Sequence, residues 1–101
     1  SLCEAAKADD RSGMRKKLKT ARLRLRNIYS GISCGGDGSL LRVATSNGAL
    51  EAATFIATKI GKSNLGAAES DGKTIMQYTQ DLVAAGDASK QAFVDLYASK
   101  L

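Results

Sequence analysis

Two Asp-Gly pairs, Asp37-Gly38 and Asp71-Gly72, lie 34 positions apart and begin the same succession of segments. After each pair comes a helix-like run, then a glycine-containing turn, then a second helix-like run. Repeats of about 33 residues with this composition are typical of stacked helix pairs. The spacing therefore predicts an all-α fold of three stacked antiparallel helix pairs. The predicted units are approximately 1–36, 37–70 and 71–101, within the single domain 1–101.

Composition agrees with a helical domain. Proline and tryptophan are absent from the 101 residues, and only five residues are aromatic. Such a composition favours helices over a β-sandwich or barrel. No apolar run approaches the roughly 20 residues that a transmembrane helix needs, so no transmembrane segment is expected. The chain begins at Ser1 without a methionine, which predicts either a mature form whose signal peptide was removed or a trimmed piece.

Two glycines are expected to separate the paired helices. A short helix over 39–47 and a longer one over 50–60 are predicted on either side of Gly48, and helices over 73–85 and 88–100 on either side of Gly86. A tight turn between helices commonly requires a positive φ angle, which glycine adopts without steric cost. We therefore expect Gly48 and Gly86 to have positive φ.

The basic N-terminal region combines two helical stripes. Apolar residues follow one another at spacings of three and four, which predicts a single helix over about residues 12–28. Its core-facing residues are expected to be Met14, Leu18, Ala21 and Leu25. A second stripe at the same spacing is cationic and consists of Arg11, Arg15, Lys19, Arg22 and Arg26.

The net charge of +5 is concentrated in this region. Residues 1–30 contain nine Lys/Arg and three Asp/Glu, whereas the remainder contains six and seven. A solubilising face and an anion-binding surface both explain this asymmetry. The candidate anion-binding residues are Arg15, Lys19, Arg22 and Arg26, which would contact an anionic lipid, lipopolysaccharide or nucleic acid. No aromatic residue is interleaved with them and no recognition-helix motif is present, so sequence-specific nucleic-acid binding is not expected.

The chain contains two cysteines and no histidine, which limits the roles that the cysteines could have. Two thiols without histidine or clustered carboxylates do not predict a zinc site, and the spacing of Cys3 and Cys34 is not that of a CxxC redox motif. An even count in a short chain favours one disulfide in an exported protein. The alternative is two reduced, unrelated thiols in a cytosolic protein.

No catalytic constellation is apparent. The glutamates Glu4, Glu51 and Glu69 fall in separate units, and no histidine could serve as a general base or activate a cysteine. The glycine-rich segment 35–38 lacks the Gly-Lys-Ser/Thr ending of a phosphate-binding loop. We expect a protein that is not an enzyme and has no cofactor, no metal and no catalytic residues.

Two segments resemble the ankyrin repeat. The first comprises Asp37-Gly38-Ser39-Leu40-Leu41, Ala44 and Gly48-Ala49-Leu50-Glu51-Ala52-Ala53, and the second is Asp71-Gly72-Lys73-Thr74. The proline and histidine of the usual Thr-Pro-Leu-His motif are absent, and the match weakens after Thr74. The resemblance implies an irregular ankyrin-like array in which Thr74 caps a helix and the surface binds a protein.

Residues 2–60 also resemble a small uncharacterised proteobacterial family of exported proteins. The shared features are Leu2-Cys3, Ala5-Ala6 and Cys34-Gly35-Gly36. Gly35 stands where that family usually has asparagine. The resemblance implies a signal peptide upstream, a disulfide between Cys3 and Cys34, and a periplasmic or secreted location. It implies no activity, because that family has none described.

The sequence therefore predicts a small exported helical module without chemistry of its own. Stacked repeats usually bind partners through their concave surface and loop tips, so the leading hypothesis is a protein partner. The alternative is an anion-binding module that uses the basic helix 11–26.

Overall fold

The computed structural model describes all residues 1–101, which form seven α-helices and no strand. The helices are α1 (Leu2–Lys7), α2 (Arg11–Ala21), α3 (Leu25–Ile28), α4 (Leu40–Ser46), α5 (Leu50–Gly66), α6 (Ile75–Ala84) and α7 (Gln91–Lys100). Single 3-10 turns occur at Tyr29–Gly31, Gly35–Asp37 and Ala88–Lys90. The predicted all-α class is confirmed.

Most consecutive helices pack against each other as pairs, and each pair also contacts a neighbouring pair. Contacts join α1 with α2, α4 with α5, and α6 with α7. Further contacts join α1 with α4, α4 with α6, α2 with α5, and α5 with α7, while α3 packs on α5. Helices α4 and α5 therefore occupy the centre of the molecule, and α5 supports the basic N-terminal region.

The core is one continuous apolar cluster of 21 buried residues. Its largest fully buried members include Met14, Leu40, Ile56 and Tyr97. The Tyr97 hydroxyl lies 2.7 Å from Oγ1 of Thr45, so this buried polar group has a hydrogen-bond partner. Burial raises the pKa of Tyr97 above its usual value.

The two predicted turn glycines have the expected conformation. Gly48 lies between α4 and α5 with a φ of 69°, and Gly86 lies after α6 with a φ of 109°. An L-residue would be strained at either position. The sequence thus identified both turns correctly.

The predicted helix over residues 12–28 is wrong, because the chain breaks at Arg22. Helix α2 ends at Ala21, and Arg22 adopts the left-handed conformation with a φ of 56°. The Leu23 amide then donates to the Leu18 carbonyl at 3.0 Å, a bond that closes a helix C-terminus. This reversal lets α3 turn onto α5, so Leu25 is buried as predicted whereas Ala21 is exposed.

The Gly- and Ser-containing segment after Ile60 is partly helical. Helix α5 continues to Gly66 through a break at Gly61, whose φ of 80° and ψ of 165° are not helical. Leu65 is 1% exposed and anchors this last part of α5 in the core. The side-chain amide of Asn64 donates from Nδ2 to the Ile60 carbonyl at 2.9 Å and to the Arg26 carbonyl at 3.0 Å. These contacts were not apparent in a Gly- and Ser-rich sequence.

Two adjacent aspartates bind backbone amides at the N-termini of two different helices. The Asp10 side chain accepts a hydrogen bond from the Gly13 backbone amide at 2.9 Å and caps α2. The Asp9 carboxylate accepts one from the Ala52 amide at 2.8 Å, in the first turn of α5. Asp9 therefore joins the N-terminal pair of helices to the central pair.

Cys3 and Cys34 are joined by a disulfide in which the sulfurs are 2.12 Å apart and the Cα atoms 5.7 Å apart. This is the pairing that the family resemblance implied. The bond connects α1 to the loop that precedes α4.

Candidate anion-binding site

An open groove of about 670 Å³ lies between α2, the turn at residues 22–24, α3 and α5. Its cations are Arg15, Arg24, Arg26 and Lys59, and its apolar residues are Leu18, Leu23, Leu25 and Phe55. No carboxylate lines it. The groove therefore combines a cationic rim with apolar walls.

Phe55 on α5 positions two of these cations. The Arg15 guanidinium carbon is 5.9 Å from the centroid of the Phe55 ring, and the Lys59 ammonium is 5.8 Å from the same centroid. A cation is attracted to the face of an aromatic ring at such distances. Because Arg15 belongs to α2 and Lys59 to α5, one buried ring gathers charges from two helices.

A glycine makes room for a third cation. The Arg26 guanidinium lies against the break in α5, where a Cβ atom built on Gly61 would be 3.0 Å from Nη2 of Arg26. The Arg26 carbonyl accepts the hydrogen bond from Asn64 described above. Both the backbone and the side chain of Arg26 are therefore held by α5.

The positive charge of this region is not neutralised within the protein. None of the nine Lys/Arg among residues 1–30 takes part in an ion pair. The nearby carboxylates of Asp9 and Asp10 accept hydrogen bonds from backbone amides. Like charges gathered at a concave surface create a positive potential that attracts anions.

The structure brings together only part of the predicted cationic stripe. Arg15 and Arg26 line the groove. Arg15 also lines a neighbouring depression with Arg11 and Lys19, and this depression contains the carboxylates of Asp9, Asp10 and Glu51. Arg22 is exposed and lines neither. The stripe continues along α2 only, because the left-handed Arg22 at the end of that helix redirects the chain.

Two cations of the groove, Arg24 and Lys59, were missed by sequence reasoning. Arg24 lies off the predicted stripe, and it enters the groove only because α2 ends before it. Lys59 is more than 30 residues away from Arg26 in the sequence. No sequence signal links it to the basic region, since the proximity arises from the packing of α2 and α3 on α5.

A second depression of about 450 Å³ includes Tyr29, Ser39, Arg42 and Glu69. The buried Tyr29 hydroxyl has no hydrogen-bond partner there, and burial raises the pKa of Tyr29 to about 12. The one cation of this depression is already engaged. Nε of Arg42 donates to Glu69 at 2.6 Å, and both Nη atoms donate to Asp71 at 2.7 and 2.8 Å.

This arrangement around Arg42 is structural. The Arg42 guanidinium also lies 4.5 Å from the centroid of the Tyr78 ring. Its hydrogen bonds hold the pKa of Asp71 well below its usual range, and they raise that of Arg42. Arg42 thereby fastens α4 to the segment before α6 and has little capacity for an external anion.

No three His, Cys, Asp or Glu side chains cluster as ligands of a metal ion. None of the helices has both the length and the apolar character that a membrane crossing requires.

Fold and groove together define a small all-α module with a basic surface. Residues 2–67 match the family described as "Protein of unknown function (DUF3718)", and the chain belongs to that family. The match extends from α1 to just beyond α5, so it contains every residue that lines the groove. This match confirms the part of the sequence-based resemblance that placed residues 2–60 in an uncharacterised family.

No curated protein and no solved structure matches the chain. The ankyrin resemblance consequently receives no support from these comparisons, although consecutive helices do pack in pairs.

Proposed function

We propose that this protein is a small binding module that recognises an anionic ligand at the groove formed by α2, α3 and α5. The supporting observation is the gathering of Arg15, Arg24, Arg26 and Lys59 around one concavity that contains no carboxylate. A phosphate-bearing ligand suits such a site, because arginine binds phosphate oxygens through two parallel hydrogen bonds.

The proposal includes a location outside the cytoplasm and an action by binding alone. An intramolecular disulfide in a chain of 101 residues is typical of exported proteins. The groove offers cations and apolar surface, and it offers no group suited to general base catalysis. This is the alternative hypothesis from the sequence, now favoured by the geometry of the groove.

Inorganic tripolyphosphate tests the proposal as a soluble anionic probe. We expect isothermal titration calorimetry to detect binding at 20 mM salt and a decrease of about tenfold or more in affinity at 200 mM, because salt screens exposed charges. The double variant Arg24→Gln/Lys59→Gln should weaken binding by about tenfold. The double variant Lys7→Gln/Lys100→Gln, which removes the same charge away from the groove, should weaken it much less.

Stability measurements provide the accompanying control. The variant with Gln at Arg15, Lys19, Arg22 and Arg26 should unfold within about 1 kcal/mol of the parent protein. It loses no ion pair, and it gives up only the weak contact of Arg15 with Phe55 and the packing of the Arg26 guanidinium against Gly61. Equal loss of affinity in the groove variant and in the Lys7/Lys100 variant would contradict a defined site. A large loss of stability would mean that the cations serve the fold.

A protein partner is the second candidate, based on the predicted repeat-like stacking and on the exposed Leu50 at the start of α5. Leu50 is 41% exposed and lies beside Arg11, Glu51 and Thr54 in a shallow depression of α2 and α5. Binding that depends on Leu50 and changes little with salt would favour this candidate. Asp71, in the predicted loop-tip surface, is a poor probe of it because Asp71 binds Arg42.

A further inference from the structure

The turn between α2 and α3 exposes a leucine among arginines. Leu23 is 48% exposed, which makes it one of only three exposed large apolar side chains in the protein. Arg22 and Arg24 flank it in sequence, and Leu23 itself lines the basic groove. Its neighbours Leu18 and Leu25 are buried in the core, whereas Leu23 is left in contact with solvent.

Charge around this turn is of one sign. No acidic residue occurs between Asp10 and Asp37, whereas the shorter segment 15–26 contains seven Lys/Arg. Clusters of four to eight such residues are typical of surfaces that bind anionic lipids. An apolar side chain at the tip of such a cluster would enter the boundary between headgroups and acyl chains.

We infer that the turn at residues 22–24 docks on the surface of an anionic phospholipid bilayer. Leu23 enters the interface, and Arg22, Arg24 and Arg26 contact the lipid phosphates. This inference rests on the proposed function and identifies its ligand. It requires no membrane-spanning helix, because the protein would lie on the surface.

The composition of the surface favours lipid over the other anionic partners. Nucleic-acid binding to single strands uses aromatic side chains that stack on bases, but the only aromatic of the groove, Phe55, is buried beneath Arg15 and Lys59. A purely electrostatic contact with an acidic polypeptide would gain nothing from an exposed leucine between two arginines.

Vesicle sedimentation tests the inference on the full chain with its disulfide intact. We expect partitioning onto phosphatidylcholine vesicles containing 30% phosphatidylglycerol to be at least about 50-fold stronger than onto pure phosphatidylcholine, since each cation near an anionic surface contributes about fivefold. The variant Leu23→Gln should bind the anionic vesicles roughly fivefold to tenfold more weakly, because half of a leucine side chain no longer leaves water.

Control variants separate insertion from charge. Leu101→Gln alters a residue that is 47% exposed and lines no part of the groove, and its partitioning should be unchanged. Leu23→Gln should weaken vesicle binding by a larger factor than tripolyphosphate binding, whereas Arg24→Gln should weaken both kinds of binding.

The outcomes distinguish this inference from the function on which it rests. Binding of tripolyphosphate or soluble polyglutamate without binding of anionic vesicles would overturn the lipid inference and leave an anion-binding groove. Vesicle binding that Leu23→Gln does not weaken would overturn the role of Leu23. Absence of binding to every anion would overturn both proposals.

Discussion

Replacing both Cys3 and Cys34 with serine is expected to lower the free energy of unfolding by about 3.5 kcal/mol. The disulfide closes a loop of 31 positions, and the entropy that such a loop removes from the unfolded chain corresponds to about this value. A domain of this size has a total stability of roughly 5–10 kcal/mol. Urea denaturation of the parent protein and of the double variant at neutral pH measures the difference.

Reduction provides the matched control for this prediction. Dithiothreitol should destabilise the parent protein by a similar amount and leave the double serine variant unaffected. Helix α1 should become less protected from hydrogen exchange, because the bond joins it to the loop before α4. A difference below about 1 kcal/mol would show that packing between α1 and α4 suffices without the cross-link.

Replacing Arg42 with methionine should destabilise the protein by roughly 2–4 kcal/mol, because it leaves the partly buried Glu69 carboxylate without its charged partner and with only the Ser39 hydroxyl as a donor. The Arg42 side chain is 13% exposed and that of Glu69 is 17% exposed. Methionine keeps an apolar stem but removes the guanidinium both from its hydrogen bonds and from the Tyr78 ring, so the measured loss reports on these contacts together. Guanidinium denaturation of the two proteins gives the value.

A matched control comes from another ion pair of the same region. Lys73 contacts Asp81 with both side chains more than half exposed, and surface pairs of this kind contribute little. Lys73→Gln should therefore produce no marked loss. Similar losses for Arg42→Met and Lys73→Gln would contradict a special role for Arg42.

The contribution of Asp71 makes this difference dependent on pH. Arg42 lowers the pKa of Asp71 in the folded protein, so the unfolded chain takes up a proton on Asp71 at a higher pH than the folded one. The stabilisation is complete above about pH 4 and is lost as the pH falls towards the lowered pKa. We expect the difference in stability between the parent protein and Arg42→Met to become smaller as the pH falls through this range.

The helices and their turns were largely predictable because they are encoded locally. Gly48 and Gly86 mark turns through the conformational freedom of glycine, and Ser39 and Thr74 cap α4 and α6 through their hydroxyl groups. Residues of this kind act on the backbone within a few positions. Their effect can therefore be read from a short window of sequence.

The break at Arg22 was not predictable in this way. No glycine or asparagine marks the left-handed position, and the apolar spacing continues unchanged from Leu18 to Leu25. What ends α2 is the packing of α3 on α5, which periodicity within one segment does not contain. The same break exposes Leu23 and brings Arg24 into the groove.

The groove was only half predictable for a related reason. Arg15 and Arg26 stand out in a basic segment, but Lys59 joins them through Phe55, a contact between distant parts of the chain. Arg42 shows the converse case. Arg42 binds Glu69 and Asp71, which lie almost 30 residues further along the chain. Asp71 had attracted attention only as part of an Asp-Gly pair, and the structure shows that it also forms an ion pair with α4.

The most direct test of an anion-binding groove is the mapping of tripolyphosphate binding by two-dimensional NMR on the uniformly ¹⁵N-labelled protein. Chemical-shift changes should saturate with a single affinity and concentrate at Arg15, residues 23–26 and Lys59. The cations Lys7, Lys62 and Lys100, which line no part of the groove, should change little. Small, non-saturating changes spread over all the lysines and arginines would contradict the groove as a site and reduce the basic region to a solubilising surface.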